Sequence, residues 1–273
     1  LSLEAAVQID PMDATSWKNL GLRQQENENE GAAINALRKA IELDPTLLDS
    51  HIALAVSYTN ESMFSEAYKA LEGWLANNPQ YSHLLSQQPA TNFNHHEHLT
   101  ATFLAAARLS SATSFDAGPQ MALGVLFNIS GDHAKAMDCF QSCLASHPQD
   151  YQLWNKLGAT LANSKDPSRA LEAYTRALQL NPDFLRARYN VAIAYLQLGK
   201  YADAVRHLVA ILECQEMNMH SMASGSTWNT LWMVMDRYLN RPDLAKAADE
   251  KNLNVFRNLD FLSTGYEEGP YYA

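Results

Sequence analysis

The sequence predicts an all-α array of stacked helix pairs, and three observations carry that expectation. Prolines recur at a fixed interval: Pro11, Pro45 and Pro79 stand 34 residues apart, and Pro148 and Pro182 repeat the spacing. Between them apolar residues fall at helical intervals, with small residues at two fixed places in each unit and large ones at four others. With 47% apolar and 18% charged residues in 273, the composition is that of a folded chain rather than a disordered tail.

A period of 34 residues closed by proline is the tetratricopeptide pattern, two antiparallel helices per unit. The unit from Ala14 places Trp17, Leu20, Gly21, Ala33, Leu37, Ala40 and Pro45 in register, and only Gln24, at the tyrosine position, departs. The unit from Leu48 carries Leu54, Ala55, Tyr58, Ala67, Leu71 and Pro79; that from Tyr151 carries Trp154, Leu157, Gly158, Ala170, Tyr174, Ala177 and Pro182. The unit from Ala117 (Leu123, Gly124, Phe127, Ala136, Phe140, Pro148) is good, and the unit from Leu185 (Val191, Ala192, Tyr195, Ala204, Leu208) loses its closing proline. Small residues at positions 8 and 20 of the unit let its helices approach, while the large ones at 4, 7, 11 and 24 fill the space between pairs, so these are core positions.

Pro79 and Pro148 are 69 residues apart, close to two periods, so a degenerate repeat is expected between them. Tyr81 to Asn94 lacks helical periodicity and Leu99 to Leu109 has it. Beyond Ile211, the polar, Met-rich stretch Glu213 to Ser226 precedes two helical patterns, Thr227 to Leu239 and Asp243 to Leu259, split by Asn240, Arg241 and Pro242, which read as a capping pair. The fold class is therefore a tetratricopeptide-repeat superhelix: an N-terminal block 1–79 whose first repeat is truncated, a degenerate repeat and hinge 80–116, a C-terminal block 117–216, and a loop with capping helices 217–273. Leu1 starts inside a helical pattern with no initiator Met, so a longer protein is expected.

A net charge of -10 argues against nucleic acid or an anionic membrane surface as the main partner and favours a basic ligand. No apolar run approaches the roughly 18 residues of a membrane span. Cys139, Cys143 and Cys214 form no disulfide framework, and the first two, four apart, suit a buried helical face. No phosphate loop or nucleophile constellation is present, so no enzyme and no cofactor are expected.

Three segments, LAVSYTNES (Leu54 to Ser62), GVLFNISG (Gly124 to Gly131) and DYQLWNKLGATLAN (Asp150 to Asn163), joined by RARYN (Arg186 to Asn190), closely resemble the C-terminal half of the peroxisomal import receptor that reads type 1 targeting signals, the peroxin-5 family. The resemblance covers nearly the whole chain. It implies a receptor that binds the C-terminal Ser-Lys-Leu-type tripeptide of folded cargo bound for peroxisomes or the related glycosomes. It further implies a cytoplasmic protein cycling to the organelle membrane, docking on the import machinery through an N-terminal region outside this chain.

The first helix of each unit lines the concave face, where the sequence sets amides repeatedly: Asn60, Asn163 and Gln197 at position 13, Asn128 at 12, Asn155 at 5 and Asn190 at 6. An amide offers a donor and an acceptor, so it can pair with a peptide group whatever the ligand's side chains. Arg186 and Lys156 add the cations that a terminal carboxylate requires. The resemblance implies that Asn60, Asn155, Arg186 and Asn190 hold the signal's backbone and carboxylate, and that Val56, Thr59, Ala159 and Asn163 shape the pocket. It places Gln197 where the family has asparagine, Ser224 near the ligand, and Glu28 and Glu61, at inter-helix turns, as acidic partners of the signal's lysine through water.

Plainer readings stand beside these. Asn60, Asn128 and Asn163 could serve as turn or cap residues, and Arg186 could be a solvated charge. NHHEH (Asn94 to His98) reads as a polar hinge loop rather than a metal site, and ENENE (Glu26 to Glu30) as a solvated turn. Two alternative functions share the fold: a co-chaperone clamping acidic tails with Lys and Asn four apart, a form that only Arg186 with Asn190 approaches, and a scaffold that binds partners by its convex surface.

Overall fold

In the computed structural model the described residues are 2–86, 94–113, 115–217, 225–257 and 259. Among them lie fifteen α-helices and no strand. The helices are α1 (Leu3–Ile9), α2 (Ala14–Glu26), α3 (Glu30–Leu43), α4 (Leu48–Asn60), α5 (Phe64–Ala76), α6 (His95–Thr113), α7 (Ala117–Ser130) and α8 (His133–Ser146) in the first part of the chain. There follow α9 (Tyr151–Asn163), α10 (Pro167–Leu180), α11 (Leu185–Gln197), α12 (Tyr201–Met217), α13 (Gly225–Met233), α14 (Pro242–Asp249) and α15 (Leu253–Arg257). All five units expected from the sequence begin on the first residue of a helix: Ala14, Leu48, Ala117, Tyr151 and Leu185.

Each unit is built by the same local chemistry. Asp13, Asp116 and Asp150 cap α2, α7 and α9, their carboxylates accepting backbone N–H groups of the first turn. At the fifteenth residue the chain turns left-handed, with φ of 62° at Glu28, 59° at Ser62, 78° at Gly131, 65° at Lys165 and 71° at Gly199. Four of these turns close as Schellman motifs. In the first, the Glu28 N–H reaches the Gln25 carbonyl at 3.1 Å and the Asn29 N–H reaches that of Gln24 at 2.9 Å. The same motif ends α14 at Lys251, whose φ is 53°, so the second capping pattern, expected as one helix over Asp243 to Leu259, breaks into α14 and α15.

Packing follows the repeat register. Position 20 is alanine in every unit (Ala33, Ala67, Ala136, Ala170, Ala204), and each of the five is 0% exposed, so no larger side chain fits there without displacement. The glycines at position 8 face the large residue at position 24: an added Cβ would lie 2.6 Å from Leu37 Cγ at Gly21, 2.6 Å from Phe140 Cε1 at Gly124 and 2.6 Å from Tyr174 Cδ1 at Gly158. Tyr174 is a buried ring on the neighbouring helix and cannot withdraw freely. Gly158→Ala is therefore expected to cost about 1 to 2 kcal/mol through overpacking. A urea midpoint equal to that of the parent protein would show that the two helices separate at no cost.

The chain forms two compact units, Leu1–Pro148 and Gln149–Ala273. This division differs from the organisation expected from the sequence, which joined 117–148 to the later repeats. In the structure α7 packs on both α4 and α6, which draws α7 and α8 into the first unit. Within that unit the degenerate repeat contributes a 3₁₀ turn, Ser82–Leu84, and the 19-residue α6, whose buried stripe of Leu99, Phe103, Ala106 and Ser110 faces its neighbours. Trp74 stacks on Tyr81 at 5.7 Å and meets Phe103 at 5.6 Å. The Tyr81 hydroxyl donates to Asp116 at 3.0 Å, and burial together with that carboxylate pushes its phenol up to about 12.

The NHHEH segment is not a loop. His95, His96 and His98 lie in α6, because Asn94 and Glu97 form a reciprocal capping box: the Glu97 N–H donates to Asn94 Oδ1 at 2.9 Å and the Asn94 N–H to Glu97 Oε2 at 3.4 Å. In the second unit the capping helices cover the apolar face of α11 and α12, where Trp228, Leu231, Leu244 and Phe256 close over Val205, Leu208 and Leu212.

Candidate functional site

Helical spacing alone aligns the candidates on the first helix of their units. On α4, Val56, Thr59 and Asn60 share one face; on α9, Asn155, Ala159 and Asn163 fall one turn apart; on α11, Asn190 lies one turn after Arg186 and Gln197 two turns further on. Val56, Thr59, Asn60, Glu28 and Glu61 belong to the first unit, and the residues of α9 and α11 to the second. Ser224 lies outside the described residues.

In the second unit α9 packs against α11, and this brings Asn155 and Asn190 together. Asn190 Nδ2 donates to Asn155 Oδ1 at 2.9 Å, a bond between positions 35 residues apart in sequence. Asn155 is 8% exposed, an unusual place for an amide inside a helix, where asparagine is a poor former. Arg186, half-buried, stands one turn before Asn190 on the same face of α11. Lys156 and Ala159 are half-buried on α9, whereas Asn163 and Gln197 are exposed at the last turns of α9 and α11. The Tyr189 hydroxyl, beside Asn190, meets Thr230 Oγ1 at 2.9 Å and fastens α11 to α13.

In the first unit the site has a support that the sequence reading missed. Asn60 Nδ2 donates to Glu30 Oε1, and Ser57 Oγ donates to Glu30 Oε2 at 2.6 Å. Gln25 Nε2 reaches Ser57 Oγ at 2.6 Å and the Ala53 carbonyl at 2.7 Å. ENENE is thus not a solvated turn: Glu30 is 8% exposed and Glu26 only 6%, the latter paired with Arg23 at 2.8 Å. Glu28 is half-buried at the left-handed turn residue and Glu61 exposed at the C-cap of α4. Thr59 Oγ1 bonds back to the Ala55 carbonyl at 2.8 Å. Two local signals existed: an acidic residue in the first turn of α3 and a buried-type serine three residues before Asn60. Joining them required knowing that the end of α4 meets the start of α3.

Among the described residues, no group of three or more His, Cys, Asp or Glu is placed to hold a metal ion, and no helix is long and apolar enough to cross a membrane. Cys139 and Cys143 are buried on α8, and burial raises the Cys139 thiol to about 12.

The repeat geometry and an amide-lined helix face define a class: the chain is a tetratricopeptide-repeat protein. Tetratricopeptide repeat profiles match residues 14–47, 122–183 and 161–218. The crystal structure of the APC/C hetero-tetramer Cut9-Hcn1 aligns with TM-score 0.50 at 20% identity over 96% of this chain and 44% of that one, a likeness of fold. Over most of its length the chain is homologous to peroxisomal targeting signal receptors. The receptor of Candida albicans (strain SC5314 / ATCC MYA-2876) is 40% identical over 238 residues, 85% of this chain and 39% of the relative. That of Saccharomyces cerevisiae (strain ATCC 204508 / S288c) is 36% identical over 271 residues, 95% of this chain and 44% of the relative. A Mus musculus PEX5-related protein is 43% identical over 176 residues, 60% of this chain and 31% of the relative. The chain spans less than half the length of each of these relatives.

Proposed function

We propose that this chain is the signal-reading part of an import receptor and binds the C-terminal Ser-Lys-Leu-type tripeptide of cargo proteins destined for peroxisomes or glycosomes. The observation that carries the reading is the Asn155–Asn190 pair with Arg186 one turn away. Each amide in the pair spends one group on the other and keeps one, so the pair offers a donor and an acceptor at fixed separation, as an extended peptide group demands. Arg186 supplies the positive charge for a terminal carboxylate in a chain whose net charge is -10. Ala159 and Asn163 on α9, and Val56 and Thr59 on α4, shape the surroundings of these contacts. Glu28 and Glu61 favour the signal's lysine by charge through water, Gln197 takes the contact that the family gives to asparagine, and Ser224 belongs near the ligand. The protein acts by binding, without catalysis or cofactor, in the cytoplasm and in cycles to the organelle membrane; docking on the import machinery falls to residues outside this chain.

The discriminating experiment compares a fluorescent peptide ending in Ser-Lys-Leu as free acid and as C-terminal amide, by anisotropy. Loss of a charge-assisted contact predicts binding of the amide about thirtyfold weaker, roughly 2 kcal/mol. Equal affinities would mean that the terminus is not read and would favour the scaffold reading.

A further inference from the structure

We propose that Glu30 is a positioning residue that fixes the polarity of Asn60, so that Asn60 presents its side-chain oxygen and reads an N–H donor of the bound peptide. The inference rests on the peptide-reading function above and assigns a role to a residue outside the candidate face. An ionised carboxylate only accepts hydrogen bonds, and a donor is directed at each Glu30 oxygen: the Ser57 hydroxyl at Oε2, 2.6 Å away, and Asn60 Nδ2 at Oε1. Ser57 is 0% exposed and has a single proton. That proton is committed to Glu30, because Ser57 Oγ itself receives the Gln25 Nε2 donor at 2.6 Å. The Gln25-to-Ser57 and Ser57-to-Glu30 bonds therefore run toward the carboxylate, and Asn60 joins from the other side with its NH2.

The consequence for Asn60 is directional. An asparagine in isolation can turn its amide over and offer either end. With Nδ2 held by a buried acceptor, the Oδ1 end of this exposed side chain is the one left facing outward. The Asn155–Asn190 pair in the second unit differs in kind. It is amide against amide, and a concerted turn of both amides preserves the bond, so that bond by itself does not fix polarity. Specificity for a donor is thus built into the first unit by Glu30, at the cost of burying a carboxylate that is 8% exposed.

The test uses Ser-Lys-Leu free-acid peptides in which one backbone amide at a time is replaced by an ester, which deletes one N–H donor. Wild type, Glu30→Gln and Asn60→Ala are titrated by anisotropy, with helicity checked by circular dichroism. In wild type one ester position is expected to weaken binding about tenfold, and in Asn60→Ala that same position no more than about twofold. Glu30→Gln is isosteric but can donate to Asn60 Oδ1, which lets the amide turn over, and its penalty is expected to fall to about threefold. An ester penalty in Glu30→Gln equal to that of wild type overturns the proposal while leaving the peptide-reading function intact. Should Glu30→Gln not fold, Asn60→Ala decides, since Asn60 is an exposed side chain and Glu30 keeps its bond from Ser57 in that variant: persistence of the tenfold penalty there overturns it. Absence of any binding by wild type would instead remove the proposed function. In that event side-chain amide NMR of the ligand-free protein still reads the orientation. Slow exchange of one Asn60 Hδ2 proton in wild type supports it, and fast exchange overturns it.

Discussion

Arg186→Ala is expected to weaken binding of a Ser-Lys-Leu free-acid peptide about thirtyfold and to leave binding of its C-terminal amide within about twofold of wild type. The magnitude is that of a hydrogen bond to a charged group, roughly 2 kcal/mol. The asymmetry follows from where Arg186 stands. It is half-buried in the first turn of α11, four residues before Asn190, so it shares a face with the amide pair but contributes charge rather than a peptide-group contact. Asn155→Ala tests the complementary part. It strands Asn190 Nδ2, which now donates to Asn155 Oδ1 at 2.9 Å, and is expected to weaken acid and amide peptides alike, by about tenfold to a hundredfold. Measuring both peptides against wild type and each variant forms a double-mutant cycle for each, which separates carboxylate recognition from backbone recognition. Equal losses for acid and amide in Arg186→Ala would remove Arg186 from the carboxylate, and wild-type affinity in Asn155→Ala would remove the pair from the site.

The fold was legible because the repeat writes the same physics five times. Gly158 against Tyr174 and Ala170 at zero exposure are consequences of two helices held close, and such constraints leave small and large residues at fixed intervals. Helix starts were legible for the same reason, since Asp150 must stand immediately before Tyr151 to cap α9. What the pattern hid was polar and long-range. Glu30 looks like an ordinary first-turn acid on α3, and only the approach of α4 turns it into the acceptor for Ser57 and Asn60. The histidine run misled because His95, His96 and His98 mimic a polar loop, whereas the neighbouring Asn94 and Glu97 carry the capping signal that starts α6. Unit boundaries were the least legible, since the grouping of α7 with the first unit rests on its packing against α4, a contact between residues far apart in sequence that a 34-residue period does not specify.

The second unit is expected to lose about 2 kcal/mol of stability between pH 7.5 and pH 5 through one side chain, His207. His207 lies on α12 with its ring stacked on Tyr195, centroids 5.5 Å apart and planes 27° from parallel, and its buried Nδ1 has no hydrogen-bond partner among the described residues. Burial is the main cause that drives its pKa down from 6.5 to about 4, and the charges of Arg188 on α11 and Arg206 on α12 push in the same direction. Arg206 is itself paired with Asp203. The sign follows from proton counting. Between about 4 and 6.5 the unfolded chain binds a proton that the folded chain refuses, so stability is full above the unfolded value and falls as the pH drops through the folded one. His207→Phe keeps a ring against Tyr195 and removes both the titration and the unpaired nitrogen. Hydrogen exchange of the α12 amides, compared at pH 7.5 and pH 5 after correction for the intrinsic rate, is the suitable readout in a chain of two units. Protection in wild type is expected to fall about thirtyfold more than in His207→Phe, and an equal fall in both would show that the imidazole is protonated in the folded state.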